Sequence, residues 1–229
     1  MQGDFPAPPA LSAELDREIR KAYEELDAEI AAYSRAVSLA CIPGCGRCCH
    51  TPCENVEASL LEMVPLAKHL FETSRADVLL NQEELLTPDA PCIFYDPQGF
   101  PSLKGCCTIY SLRPLTCRLF GFSALTDKRE KKRAVICAFL KAQQPRLAAR
   151  IKAAISRGVP VPDMAAWERR LSLMDPNLGM RKYPVNIALK QVLEWHGLRT
   201  VMSAKSFATS SEPGGNGGGR GKIRGLAAV

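Results

Sequence analysis

Cysteine is missing from the first forty residues of this 229-residue chain, and none follows position 137. No stretch approaches the roughly 18 uninterrupted apolar residues of a membrane span, so a membrane protein is not expected. The opening residues, Met1-Gln-Gly-Asp-Phe-Pro-Ala-Pro-Pro, have neither a basic n-region nor a long apolar h-region, and do not read as a secretory signal. There is no Gly-rich phosphate loop, no Ser/His/Asp set and no carboxylate pair that stands out, and no internal repeat. A net charge of +6 is too modest to indicate a specific nucleic-acid protein. A reducing, cytoplasmic location is the expectation.

What is present is concentrated. Cys41-Ile-Pro-Gly-Cys45-Gly-Arg-Cys48-Cys49 places four thiols within nine residues, and Cys53, Cys92, Cys106, Cys107, Cys117 and Cys137 follow. Small secreted domains carry disulfides because their cores are thin. A chain of this length with 46% apolar residues can bury a core without staples. In a reducing compartment such clustering points first to metal or cluster ligation, ahead of disulfides or reactive free thiols. Thiolates hold zinc tetrahedrally and also hold iron–sulfur clusters, usually four to a site. Cys-x3-Cys-x2-Cys puts three sulfurs on one tight loop, which Pro43, Gly44 and Gly46 allow to curl. Adjacent Cys48 and Cys49 point in different directions and seldom serve one mononuclear ion together. Nearby cations would offset thiolate charge. Of Arg47, Lys104, Arg113 and Arg118, the last, directly after Cys117, is the strongest candidate. His50 and Glu57 read as a solvent-facing residue and a helix-start residue, and Tyr110 and Arg113 could brace the Cys117 loop.

The pattern predicts a mainly α fold: a single helical domain around an irregular cysteine-rich centre, with at most a small hairpin. Ser12 is a plausible N-cap for a helix to about Ala40, with Leu15, Ile19, Leu26, Ile30, Tyr33 and Val37 on one face. A second helix should follow Asn55, kinked or divided by Pro65, and a third should cover 76–86. Asp96-Pro-Gln-Gly99 signals a turn inside a small hairpin or irregular loop over 92–110. Helices are expected over 128–142, 146–157, 164–174 and 186–203. The divisions are a flexible N-terminus (1–10), the helical cysteine-cluster domain (11–205, metal-binding core 41–137) and a disordered Gly-rich tail (206–229).

Three fragments occur in order: Cys41-x3-Cys45-Gly-x-Cys48-Cys49, then Pro91-Cys92, then Cys107-x-Ile-Tyr110-x2-Arg113-Pro114-x2-Cys117-Arg118. Together they resemble the YkgJ-type cysteine-cluster family, the zinc- or iron-chelating domain named for its CxxCxxCC motif. The resemblance spans about residues 41–137. It implies binding of a metal ion or cluster through Cys41, Cys45, Cys48, Cys49, Cys92, Cys107, Cys117 and Cys137. The first gap here is three residues where the motif's name has two, and Cys53 and Cys106 look like extras. The implied cofactor is an iron–sulfur cluster, of the 4Fe-4S kind, or a zinc or iron ion. The resemblance leaves three functions open: a redox or oxidoreductase protein, a structural zinc protein, and a cluster-dependent protein lysine methylase. Radical-SAM enzymes share the first spacing, but their fold needs repeated βα units and Arg47 stands where they usually carry an aromatic.

Overall fold

The computed structural model describes residues 12–41, 45–50, 52–82, 84, 86–99, 105–129 and 131–209. The chain runs α1 (Ala13–Ala36), β1 (Glu57–Ser59), α2 (Leu60–Glu72), α3 (Ala76–Leu80), β2 (Tyr95–Asp96), β3 (Cys106–Cys107) and α4 (Leu115–Leu119). It continues through β4 (Ser123–Thr126), β5 (Lys132–Val135), α5 (Ala138–Gln143), α6 (Leu147–Ser156), α7 (Met164–Ser172), α8 (Pro176–Gly179), β6 (Lys182–Pro184) and α9 (Val185–Thr209). The class is mainly α, as expected. The small hairpin is there as β2–β3, and two further antiparallel pairs, β1–β6 and β4–β5, accompany it. Among the described residues no helix is long and apolar enough to cross a membrane.

Helix α1 begins where its cap predicts: the Ser12 hydroxyl accepts a 2.9 Å hydrogen bond from the Leu15 amide. It ends four residues before Ala40, because Ser38 adopts φ 49° and a left-handed residue terminates a helix. Helix α2 opens on a reciprocal capping box between Ser59 and Glu62 and runs unbroken through Pro65. Burial of Leu61, Met63, Val64, Leu66, Ala67 and Leu70 holds both sides of the proline, outweighing the one hydrogen bond it removes. Helix α3 stops at Leu80 rather than 86.

The largest departure lies at 128–142. Only Ala138–Gln143 is helical; ahead of it the chain folds back as the β4–β5 hairpin, in register from Ser123↔Val135 to Thr126↔Lys132. The cause is Asp127, whose carboxylate accepts the amides of Arg129 (2.9 Å) and Lys131 (3.0 Å) while its own amide reaches the Lys131 carbonyl at 3.0 Å. An aspartate closing its own turn wins over a charged run's helix propensity. Helix α9 continues to Thr209, so the first four residues of the expected tail are helical. Residues 210–229 and 1–10 lie outside the described residues.

Three apolar clusters build the core. One packs α2 and α9 against the cysteine loops. A second joins α1, α2, α4 and α7. The third lies between the end of α1, the β4–β5 hairpin, α5 and α6. Glu62, 2% exposed, ties several of these parts together. Its carboxylate accepts from the Ser59 amide (3.0 Å), the Leu115 amide at the start of α4 (2.9 Å) and the Lys182 ammonium on β6 (2.6 Å). Removing one partner of a buried charged network strands the others. Glu62→Ala is therefore expected to cost about 3–5 kcal/mol in urea unfolding. Glu25→Ala, which breaks an exposed pair with Arg170, should cost less than about 1 kcal/mol.

Candidate metal centre

Four separate stretches of chain bring the cysteines together, and backbone contacts fix each one. The loop holding Cys45 to Cys49 lies against β3: Cys45 bridges Cys106, the Gly46 amide donates to the Gly105 carbonyl at 3.3 Å, and the Cys49 amide turns back to the Gly46 carbonyl at 2.9 Å. Gly46 is required by space, since a Cβ there would lie 2.8–2.9 Å from the backbone of Cys106. Cys53 is tied to the next stretch. Its amide donates to Ala90 at 2.9 Å and its thiol to the Thr87 carbonyl at 3.3 Å.

Asn186, 1% exposed on α9, pins the segment carrying Cys92. Its side-chain oxygen accepts from the Ile93 amide (3.1 Å) and its nitrogen donates to the Pro91 carbonyl (2.9 Å). Cys107 is placed by its pairing with Tyr95 across β2–β3. Cys117 rides on α4, braced by Arg113, whose guanidinium donates to the Tyr110 carbonyl (2.8 Å) and the Cys117 carbonyl (3.2 Å) and stacks 3.5 Å from the Tyr110 ring. Cys137 precedes α5 and lies against Gly121, where an added Cβ would come within 3.1 Å of the Cys137 Cβ and a φ of 84° independently favours glycine.

All ten cysteines are free thiols. Cys48, Cys49, Cys53, Cys92, Cys117 and Cys137 line one cavity of about 390 Å³, walled by Val56, Val185, Phe120 and Phe139 with Arg47 at its edge. A smaller void beside it is lined by Cys49, Cys92, Cys107 and Cys117. Cys49 is the meeting point: its thiol shares hydrogen bonds with Cys107, Cys48 and Cys92. Those bonds push Cys49 up and bring Cys48 and Cys107 down to about 7. Burial raises Cys117 well above its usual range, with the charges of Cys92 and Cys48 adding to it. Cys41 stands at about 11 through burial, with Cys45, Cys137 and Cys48 as its charged neighbours. Cys41 and Cys137 pack at the third core cluster, away from Cys107 in the first. The thiols are close but not closed. Among the described residues no three His, Cys, Asp or Glu side chains already form a ligand group for an ion.

Two sequence readings change here. Arg118 faces away from the thiols. It is 5% exposed, pairs with Asp27 of α1 at 2.6 Å, donates to the Arg113 carbonyl at 2.8 Å and to the Ser111 carbonyl, and covers the Tyr23 ring. Arg113 is the cation in the field of Cys41, Cys48, Cys107 and Cys117. Cys53, read as an extra, is 1% exposed and lines the cavity. Cys106 does not line it; its sulfur sits where a Gly99 Cβ would lie, 2.1 Å away. His50 is exposed and edge-on to Tyr95. Sequence reasoning missed Asn186, an amide in the first turn of a helix that carries no motif.

Residues 40–138 match the CxxCxxCC family model, described as a putative zinc- or iron-chelating domain. That segment, less than half of the chain, is similar to that family. All ten cysteines fall inside it, and metal binding is the general property that the family description supports. No curated protein and no solved structure matches the chain.

Gly46→Ala should lift the cysteine loop off β3 and abolish metal retention while α-helical circular dichroism persists. In reduced, metal-free protein, alkylation by iodoacetamide followed by peptide mapping should show Cys48 reacting at lower pH than Cys41. Cys41, whose thiolate forms only about four pH units higher, should still be gaining reactivity at pH 10.

Proposed function

We propose that this protein holds an iron–sulfur cluster in the cavity between Cys48, Cys49, Cys92, Cys117 and Cys137. The observation that carries this reading is the cavity itself. A lone tetrahedral ion, with sulfurs at about 2.3 Å, needs almost no open volume, whereas about 390 Å³ of thiol-lined, apolar-walled space suits a larger inorganic body. The donor chemistry fits. The Ile109 amide donates to the Cys107 sulfur, the Asn186 amide to the Cys53 sulfur, and Arg113 supplies positive charge. Hydrogen bonds to sulfur, burial and nearby cations are the means by which a protein sets a cluster's potential. A bound cluster would supply one-electron chemistry; the chain's own contribution is to position the thiols and, through Phe120, Phe139, Val56 and Val185, to limit water.

One observation favours a second reading, a single zinc ion at Cys48, Cys49, Cys92 and Cys107. The Cys49 thiol already shares hydrogen bonds with the other three, and an ion could replace those shared protons.

Metal and sulfide analysis of anaerobically purified protein separates the two. The cluster reading expects coloured protein with iron and acid-labile sulfide in matching amounts, lost in Cys117→Ser. The zinc reading expects colourless protein with one zinc, retained in Cys117→Ser and lost in Cys107→Ser. Colourless protein with neither metal, from cells supplied with both, overturns both readings.

A further inference from the structure

We propose that the groove between the β4–β5 hairpin and α6 docks an acidic, amphipathic peptide segment of a protein partner. The groove encloses about 570 Å³, more than the thiol cavity. Its rim carries Lys131, Lys132 and Arg133 from the hairpin and Lys152 from α6, its floor is Ile136, Ile151 and Ile155, and among the described residues no acidic side chain lines it. Among the described residues two acids lie nearby. Asp127 approaches Arg133 at 3.6 Å, though Arg133 remains 80% exposed in its side chain, and Asp163 lies in the field of Lys132 while its carboxylate is occupied by Thr126 and by the Ala166 amide. Neither Lys131 nor Lys152 forms an ion pair with a described residue. Four cations around an apolar trough are thus mostly unanswered by the described residues.

That combination selects the occupant. Carboxylates would meet the rim and apolar side chains the floor, the pattern of an amphipathic segment presenting anchors three and four residues apart. A nucleic acid would use the rim alone. Single-stranded binding relies on aromatic platforms for the bases, and no aromatic residue lines the groove. A flat anionic bilayer would likewise touch the rim and leave the floor empty. The groove's position adds a consequence: Ile136 forms its floor, and the next residue, Cys137, lines the thiol cavity. A docked segment would therefore sit one residue from the metal centre, although the docking itself does not depend on metal.

The test uses the full chain and a fluorescein-labelled synthetic helix of Glu and Leu, with Leu at three- and four-residue spacing, read by fluorescence anisotropy. Saturable binding that weakens with added salt is expected. The double variant Lys131→Glu, Lys152→Glu should lose about tenfold or more in affinity, as opposite charges across an interface become like charges. The variant Arg17→Glu, Lys21→Glu makes the same change in net charge on the exposed face of α1 and should bind like wild type. A labelled all-Glu peptide should bind more weakly than the Glu/Leu helix. All four substituted positions are exposed, and far-UV circular dichroism will verify that each variant folds. The proposal is overturned if the Glu/Leu helix does not bind, if the all-Glu peptide binds equally well, or if the α1 variant loses as much as the groove variant. It is also overturned if oligothymidylate or phosphatidylserine vesicles bind the groove in place of the peptide. Cys117→Ser, which removes the proposed cluster ligand, should leave peptide affinity unchanged, so the two proposals fail separately.

Discussion

A carboxylate almost without water holds the parts of this molecule in register. Glu62 has 2% of its surface exposed, and an ionised group in that position is tolerable only if donors surround it. Those donors come from three places in the chain: the start of α2, the start of α4 and strand β6. Because α4 carries Cys117 and β6 leads directly into Asn186, the same carboxylate sets where one cysteine-bearing helix lies against the helix that pins another. The placement of the thiol cavity thus depends on a buried structural charge.

From that frame the cysteines are placed by backbone, not by each other. Asn186 fixes the Cys92 segment through three main-chain contacts, Arg113 fixes the turn before Cys117, and Gly46 lets the first loop touch β3. Side-chain amides and guanidinium groups satisfying loop carbonyls supply what helices and sheets supply elsewhere: every polar group in an irregular, partly buried segment needs a partner. Among the described residues the thiols lie near one another without three of them already forming a ligand group.

Much of this was legible from the chain, and the failures have definite causes. The helical class and the Ser12 cap follow from periodicity and capping, which are local signals, while the gathering of Cys48, Cys49, Cys92 and Cys117 around one cavity was expected from the family resemblance. The segment at 128–142 misled because Lys and Arg suit a helix surface equally well, and only Asp127, by taking two amides into its own turn, decides for the hairpin. Arg118 misled because adjacency in sequence says nothing about direction. On a short helix it turns toward Asp27, ninety-one residues earlier. Asn186 carried no signal at all, since its role exists only once the segment around Cys92 arrives beside α9.

The charge state of the centre follows from the same burial that shapes it. Without a metal, burial keeps protons on Cys117 in the cavity and on Cys41 beside it, and the Cys49 network shares what charge it carries. Metal ligation needs the thiolate form and so expels those protons. Binding strength must then rise with pH across the range in which the buried thiols would otherwise remain neutral. Arg113, in the field of four of these cysteines, reduces the cost of each ionisation. It does so without ligating anything, which makes the turn from Tyr110 to Cys117 part of the metal centre's electrostatics as well as its scaffold.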